Sequence, residues 1–390
     1  MSFEILQKDP TSKARLGPLR TPHGEIHTPA FVPIGTKGAV KTLATEELVA
    51  AGAEVILANT YHLWISGDET IARAGGLHKF MHWDRPIMTD SGGFQLFSLG
   101  EKNAPASADA PPLKIKKGLG GVVVSEEGVL FRDEISGAEH FLTPEKSVEI
   151  QNNLGSDIQV VLDEFTGDIS NYAKVKATVE RTRRWATRAR HEFQKLNILP
   201  YGRKIKRLQN GVVQGGMFDD LRKQSAEDLA KLDFEGYCIG GVAVGGESSE
   251  EQYKAVEMSV PYLPDDKPRH LLGVGTPDQI IEAVRRGIDT FDCVIPTREA
   301  RHGRAYVQNQ KSNLKNQNFE YDTLQISKSE YKESFEPLDK FCDCETCAKY
   351  SKAYLHHLFK SGEMLGLRLM TIHNVRFFLR LMEKIRADML

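Results

Sequence analysis

The chain is expected to fold as an α/β protein built on a parallel β/α barrel, and three observations predict it. Short apolar runs recur along the sequence, and each stops at a chemically capable residue. Stretches of helical period with charged faces lie between the runs. The run tips carry Asn, Asp, Gln, Gly or Arg in turn. Strand, functional tip and helix in alternation is the pattern of parallel βα units. A barrel gathers such tips at the C-terminal ends of its strands, where its chemistry sits. Any one of these residues alone would be an ordinary turn residue; their recurrence along the whole chain argues for a shared mouth.

Residues 1–30 read as a small β-rich entry segment, with turns at Gly17-Pro18 and at Pro22-His23-Gly24. The barrel pattern then runs from Phe31 to Val307. AEVILAN ends at Asn59, PIMTD at Asp90, DIQVVLD at Asp163, NGVVQ at Gln214 and YCIGG at Gly241. HLLGVG closes on Gly273 and Gly275, and DTFDCVIPTR carries Asp292 and Arg298. Helices are expected over Ala173–Leu196, Asp219–Leu232 and Pro277–Gly287. Two stretches interrupt the pattern. Asn103–Gly121, rich in Ala, Pro, Lys and Gly, reads as a mobile loop beside the Asp90 tip. Gln308–Pro337 is polar and leads into a cysteine cluster, so residues 308–390 are assigned to a subdomain with a helical tail. In that tail SKAYLHHLFKSGEMLG precedes a helix expected to begin near TIHN.

At 390 residues the chain has room for a barrel of roughly 250 residues plus additions. Hydrophobic content of 40% and charged content of 27% are ordinary for a water-soluble enzyme. No apolar run approaches the ~20 residues that span a bilayer, so no membrane partner is expected. The start, MSFEILQKDPTSKARLG, lacks the apolar core of an export signal, and a cytoplasmic location is expected. The net charge of −2 excludes a polycation, yet basic residues are clustered. Arg181, Arg183, Arg184, Arg188 and Arg190 share one helix, and Arg203, Lys204, Lys206 and Arg207 follow it. Each group is as well read as a solvated helix face as a binding surface. Arg298, Arg301 and Arg304 lie just beyond a strand tip and suit an anionic ligand, nucleic acid included.

Of five cysteines, Cys342, Cys344 and Cys347 fall within one tight turn, which suits a metal better than a disulfide framework. A closed tetrahedral zinc site needs a fourth ligand, usually histidine, and His356, His357 and His373 all follow. His356 and His357 point to opposite sides of one helix, while a chain returning past the cysteines would bring His373 to them. With no position left open for water, one structural zinc per chain is expected.

Asp90 and Asp292, at separate strand tips, are the ingredients of a double displacement at a sugar carbon. One attacks C1′ to give a covalent glycosyl-enzyme while the other shuttles protons for the departing and arriving groups. Glycines after Asp90 let a planar ligand approach the backbone, and Asp292 sits inside an apolar strand. Cys293 beside it could act as a thiol, although a buried strand cysteine is the plainer reading.

Over nearly its whole length the sequence closely resembles the tRNA-guanine transglycosylases. The resemblance is carried by NTYHL (59–63), WDRPIMTDSGGFQ (83–95), Asp163-Glu164, VQGG (213–216), GGVAVGGE (240–247), LLGVGTP (271–277), FDCVIPTR (291–298) and the cysteine set ending at His373. It implies a (β/α)8 TIM barrel with a zinc-binding subdomain. It also implies exchange of guanine 34 in the tRNA anticodon loop for a 7-deazaguanine precursor of queuosine, without a nucleotide cofactor. Asp292 would be the nucleophile and Asp90 the general acid/base. Asp163 would read the donor edge of the purine, with Gln214 and the Gly241 amide on its carbonyl oxygen. Phe94 and Leu272 would sandwich the ring, with Ser91, Gly92 and Gly93 also on the base. Gly273, Val274, Gly275, Thr276, Pro277, Asp278 and Gln279 would pass the RNA backbone. Arg298 and Arg301, with Thr297, Glu299 and Ala300 between and beside them, would hold the flanking nucleotides. Cys342, Cys344, Cys347 and His373 would hold the zinc. A homodimer through the zinc subdomain is implied too, with Tyr350, Tyr354 and His357 in its aromatic contact.

The sequence departs from the bacterial pattern where the 7-substituent of the base would lie. Phe165 replaces a cysteine, Val242 a leucine, and Gly246 is an extra glycine before Glu247. ARHG (300–303) resembles the animal enzymes, which take queuine, whereas Val244 favours the smaller aminomethyl base, preQ1. PreQ1 is therefore the expected incoming base, with queuine the alternative. The archaeal type is disfavoured because no further RNA-binding domains are present. A non-catalytic partner subunit is disfavoured because both carboxylates stand.

Overall fold

The computed structural model describes residues 2–96, 121–133, 136–164, 166–197, 206–242, 247–309 and 320–390. Most of the Asn103–Gly121 stretch, together with Phe165, Val244 and Gly246, lies outside them.

Eight strands form one parallel sheet. They are β1 (Ala30–Val32), β2 (Ile56–Ala58), β3 (Ile87–Thr89), β4 (Ile158–Val160), β5 (Leu208–Val213), β6 (Gly236–Ile239), β7 (Arg269–Leu271) and β8 (Thr290–Asp292). Their order is β1-β8-β7-β6-β5-β4-β3-β2, each pairing parallel with the next. A parallel bridge from Ile34 to Leu57 joins the two ends. There Leu57 N donates to the Pro33 carbonyl at 2.9 Å and Gly35 N to the Leu57 carbonyl at 2.6 Å. The sheet is thus a closed barrel. Its strands are buried on both faces, inward by barrel side chains and outward by helices, which is why they read as continuous apolar runs rather than alternating ones.

The helices expected from periodicity lie at Tyr172–Leu196, Asp219–Ala230 and Pro277–Arg285. Thr276 caps the last of them in a reciprocal box with Gln279, which fixes where the β7 loop turns into helix. The arginines of Tyr172–Leu196 are held as a paired helix face. Arg181 meets Glu164 at 2.5 Å, Arg184 meets Glu126 at 2.6 Å, Arg188 meets Glu145 at 2.7 Å and Arg190 meets Glu235 at 2.8 Å.

At the barrel's N-terminal end an antiparallel sheet of Gln7–Lys8, Arg15–Thr21 and Gly24–Thr28 places Leu19 and Ile26 against Val55, Met88 and Ile158. Gly17-Pro18 is not the turn expected from its composition, because both residues lie inside the strand Arg15–Thr21. Gly17 is required there by close approach: a Cβ would stand 1.7 Å from the Glu4 carbonyl oxygen.

After β8 the helix Ile295–Arg301 is short. The hairpin Arg304–Gln308/Tyr321–Gln325 then leads to helices Glu345–Lys349, Lys352–Ser361 and Met364–Met389. The last helix returns to the barrel and packs between Pro277–Arg285 and Thr45–Ala50, over β1. Phe378 meets Phe31 of β1 at 5.2 Å between ring centroids, and Arg368 pairs with Glu47 at 2.7 Å. This helix therefore completes the outer ring that Ile295–Arg301 is too short to close.

The last helix also begins earlier than expected, at Met364 rather than near His373. Gly366 marks a helix–helix crossing, where a Cβ would stand 3.0 Å from Leu358 Cβ. The left-handed turn is at Gly362 (φ 73°). Among the described residues no helix is long and apolar enough to cross a membrane.

Candidate active site

A cavity of about 490 Å³ opens at the C-terminal ends of the strands, and all eight strands or the residues just after them reach it. Ile34 and Thr36 follow β1, Asn59 follows β2 and Asp90 follows β3. Asp163 comes after β4, Gln214 after β5, Gly240 and Gly241 after β6, Leu272 and Gly273 after β7, and Asp292 ends β8. A closed parallel barrel aims every strand at one mouth, so residues more than 200 positions apart become neighbours.

Asp90 is gripped by donors from the next strand tip and from its own turn. Asn59 Nδ2 donates to Oδ2 at 2.5 Å, Thr60 N to Oδ1 at 2.8 Å and Gly92 N to Oδ1 at 3.1 Å. Burial in the cavity wall pushes its carboxyl up to about 7, against the lowering pull of the Thr60 and Gly92 amides, and nearby Asp292 adds to the rise. A carboxyl near neutrality can both give and take a proton. Gly92 holds a positive φ of 80°, which a side chain would strain.

Asp292 is buried, and its Oδ1 accepts from His270 Nε2 at 2.9 Å and from Gly273 N at 3.1 Å. No described residue donates to Oδ2. Burial pushes the neighbouring Cys293 thiol up to about 12, so it stays protonated and packed just beyond the end of β8.

Asp163 and Gln214 are bonded to each other across the mouth. Gln214 Nε2 donates to Asp163 Oδ2 at 2.7 Å and Ser91 Oγ to Oδ1 at 3.3 Å, while Gly93 N donates to Ser91 Oγ at 3.2 Å. Burial raises the Asp163 carboxyl to about 6, opposed chiefly by the Gln214 bond. Gly240 and Gly241 pass so close that a Cβ on either would stand 2.8 Å or 2.5 Å from the Gln214 amide. Phe94, half exposed, and Leu272 line the same cavity.

The other residues named from the resemblance fall into two sets. Arg298 lines the cavity and is exposed, and Arg301 beside it donates to the Thr297 carbonyl at 2.7 Å. Glu299 pairs with Arg304 at 3.1 Å, and Asp278 accepts from Tyr321 Oη at 3.0 Å. Thr276 and Gln279 are engaged in the helix cap, with Gln279 also donating to Gln252 at 2.8 Å. Val274, Pro277, Thr297 and Ala300 are buried, and Gly275 is pressed against Cys293. These last positions offer a ligand backbone at most.

Sequence reasoning gave no role to several residues of this mouth. Asn59, already named as a strand tip, and Thr60 hold Asp90, and both lie in the motif at 59–63. His270 holds Asp292. Arg222 is fully buried with no carboxylate partner among the described residues, and donates to the carbonyls of Gly216 at 2.9 Å, Gly240 at 2.9 Å, Val213 at 3.3 Å and Gly241 at 3.4 Å. Burial lowers its guanidinium to about 9. It fixes the two strand ends that shape the Gln214 side of the cavity, and nothing local in the sequence marks it.

In the C-terminal subdomain the ligand atoms of Cys342, Cys344, Cys347 and His373 all lie within 4.8 Å of one another. His373 Nδ1 is 3.2 Å from Cys347 Sγ and 3.7 Å from Cys344 Sγ, while Nε2 is 2.7 Å from the Tyr306 carbonyl. That hydrogen bond turns Nδ1 toward the sulfurs, as a partner on the far nitrogen of a metal-bound imidazole does. The cluster can hold a metal ion. The other two histidines stand apart: His356 Nδ1 bonds the Ile326 carbonyl at 2.8 Å and His357 is exposed.

Residues 9–390 match the family model described as queuine tRNA-ribosyltransferase. Proteins of that name are similar along the whole chain. The one from Streptococcus mutans serotype c is 47% identical over 387 residues, covering 99% of this chain and 91% of its own. The one from Lactococcus lactis subsp. cremoris is 46% identical over 387 residues, with 99% and 91% covered. The one from Pelotomaculum thermopropionicum is 47% identical over 390 residues, with 99% and 94% covered.

Proposed function

Because this chain belongs to the queuine tRNA-ribosyltransferase family, we propose that Asp292 and Asp90 carry out its base exchange at the barrel mouth. The protein is a pentosyltransferase, a tRNA-guanine transglycosylase of the queuosine pathway. Guanine 34 leaves the anticodon loop and enters the cavity, at a cost of a few kcal/mol that is least where the base is already unpaired. Asp163, ionised above about 6, accepts from the purine's donor edge. Gln214 and the Gly241 amide meet its carbonyl oxygen, and Phe94 and Leu272 cover its faces. Asp292 Oδ2 attacks C1′ as the bond to N9 breaks, and Asp90 protonates the departing base. The incoming base then gives its N9 proton to Asp90, attacks C1′ and returns the carboxylate to Asp292. The observation that carries this reading is the facing pair: one carboxylate with a free oxygen at the mouth, the other held near neutrality.

The incoming base is taken to be preQ1, because the valine at position 244 favours the smaller base; the ARHG segment at 300–303 supports queuine as a second reading. Incubating guanine-labelled tRNA with preQ1, preQ0 or queuine tests both. PreQ1 is expected to expel label fastest, and preferential release by queuine would overturn the choice of base.

Cys342, Cys344, Cys347 and His373 are assigned to one structural zinc: three thiolates and an imidazole, with no open position, suit that ion. A homodimer through the same subdomain fits the exposed Phe335, at 80%, and the stacked Tyr350 and Tyr354, whose ring centroids lie 5.5 Å apart.

Arg298 and Arg301 are assigned to the nucleotides flanking base 34, through charge-assisted bonds. Alanine at either position should weaken tRNA binding without loss of fold. If the arginine holds a phosphate, its removal should flatten the salt dependence by about one unit of slope; if it reads a base, discrimination between anticodon loops should fall instead. Affinities for matched and mismatched stem-loops across a salt series decide between them. Wild-type binding by both variants removes the pair from the RNA site.

A further inference from the structure

We propose that His270 is a positioning residue for the nucleophile, holding Asp292 so that one carboxylate oxygen is fixed and the other attacks. The proposal rests on Asp292 being the nucleophile.

His270 lies inside the barrel at 1% exposure, and both of its ring nitrogens bond to the neighbouring strand. Nδ1 is 2.9 Å from Thr290 Oγ1 and Nε2 is 2.9 Å from Asp292 Oδ1. The register explains the clamp. His270 pairs with Thr290 across β7 and β8, and Thr290 and Asp292, two residues apart, face the same side of their strand. An ionised carboxylate has no proton to give, so Nε2 carries the hydrogen of the second bond. The Thr290 hydroxyl is then free to donate to Nδ1, and the ring is held in one tautomer and one orientation.

The terminal torsion of an aspartate is otherwise broad. Two donors on Oδ1, the His270 imidazole and the Gly273 amide at 3.1 Å, stop its rotation. Oδ2 is left facing the cavity. When Oδ2 bonds to C1′, Oδ1 becomes the carbonyl oxygen of the ester. When the incoming N9 displaces it, the electron pair of the C1′–Oδ2 bond returns to the carboxylate, and the same two donors meet the charge that develops. His270 therefore acts on the release of Asp292 as well as on its aim.

The test is single-turnover and steady-state kinetics on His270→Phe, His270→Gln and Thr290→Val, with tRNA affinity and melting temperature as controls. His270→Phe is expected to lower kcat roughly 10–100-fold, the scale on which residues that orient a functional ligand act, with KM for tRNA unchanged. Its covalent adduct should accumulate in the presence of the incoming base, because resolution slows more than formation. His270→Gln, which can again place an N–H on Oδ1, should recover part of the loss. Thr290→Val should show a smaller fall in kcat alone, and together with the Gln variant it carries the test if His270→Phe does not fold. Wild-type kcat in the variants overturns the proposal, as does equal impairment of Phe and Gln, or a loss that appears only in KM. If wild type forms no adduct, or Asp292→Asn still exchanges bases, the nucleophile reading itself fails. A normal wild-type adduct with unimpaired His270 variants removes only the positioning role.

Discussion

Asp292→Asn is expected to abolish base exchange while leaving tRNA binding and fold intact. Asparagine keeps the shape of aspartate, and its amide oxygen can still accept from His270 and Gly273, which hold Oδ1 at 2.9 Å and 3.1 Å. What the variant lacks is the anionic second oxygen that forms the bond to C1′. Removing a covalent nucleophile from a catalytic group that works as a unit costs roughly four to six orders of magnitude in kcat. Denaturing electrophoresis of enzyme mixed with labelled tRNA reads the result: a shifted covalent species with wild type and none with the variant. Exchange by Asp292→Asn at the wild-type rate would sink the assignment.

The second large effect is expected from the cysteine cluster. One zinc per chain should be measured in purified protein, and stripping it should lower the melting temperature sharply and loosen the C-terminal subdomain, because such binding energy is folding energy. His373→Ala should lose the metal, while His356→Ala and His357→Ala should keep it. The geometry motivates that contrast. Only His373 points a ring nitrogen at the sulfurs, at 3.2 Å from Cys347, whereas His356 bonds the Ile326 carbonyl. Full metal content in His373→Ala together with loss in either of the others means the fourth ligand was misassigned.

The barrel was legible in the sequence because its strands are short, apolar and separated by helices of clear period, and most strand ends carry a polar residue or a glycine. Asp90, Asp163, Gln214 and Asp292 stand out for the same reason: a charge or amide closing an apolar run has little structural motive. Residues that act through others were harder to see. His270 opens an apolar run, where a single polar residue is unremarkable until β8 is laid beside it. Arg222 looks like one more charge on a helix, and only the tertiary fold turns it inward to the carbonyls of Gly216 and Gly240. The arginine group on Tyr172–Leu196 kept two readings because its partners, among them Glu126, Glu145 and Glu235, are far away in sequence. Glycine misled at Gly17, where composition reads a turn and the residue instead serves close packing inside a strand.

The helix Met364–Met389 covers β1, which it follows by more than three hundred residues, and it ties down Thr45–Ala50 through Arg368 and Glu47. During synthesis all eight strands are made before this cover exists. A nascent chain can therefore pair its strands while the seam around β1 still shows apolar surface, Phe31 included, to its surroundings. That interval, from Asp292 to Met389 at about 5–20 residues per second, is roughly 5–20 seconds of exposure. The same helix carries His373, so assembly of the cysteine–histidine cluster and closure of the seam fall in the same late moment of the chain's production. A ribosome stalled just short of codon 364 should hold a protein that chaperones recognise and proteases cut near β1, and release of the full chain should end both.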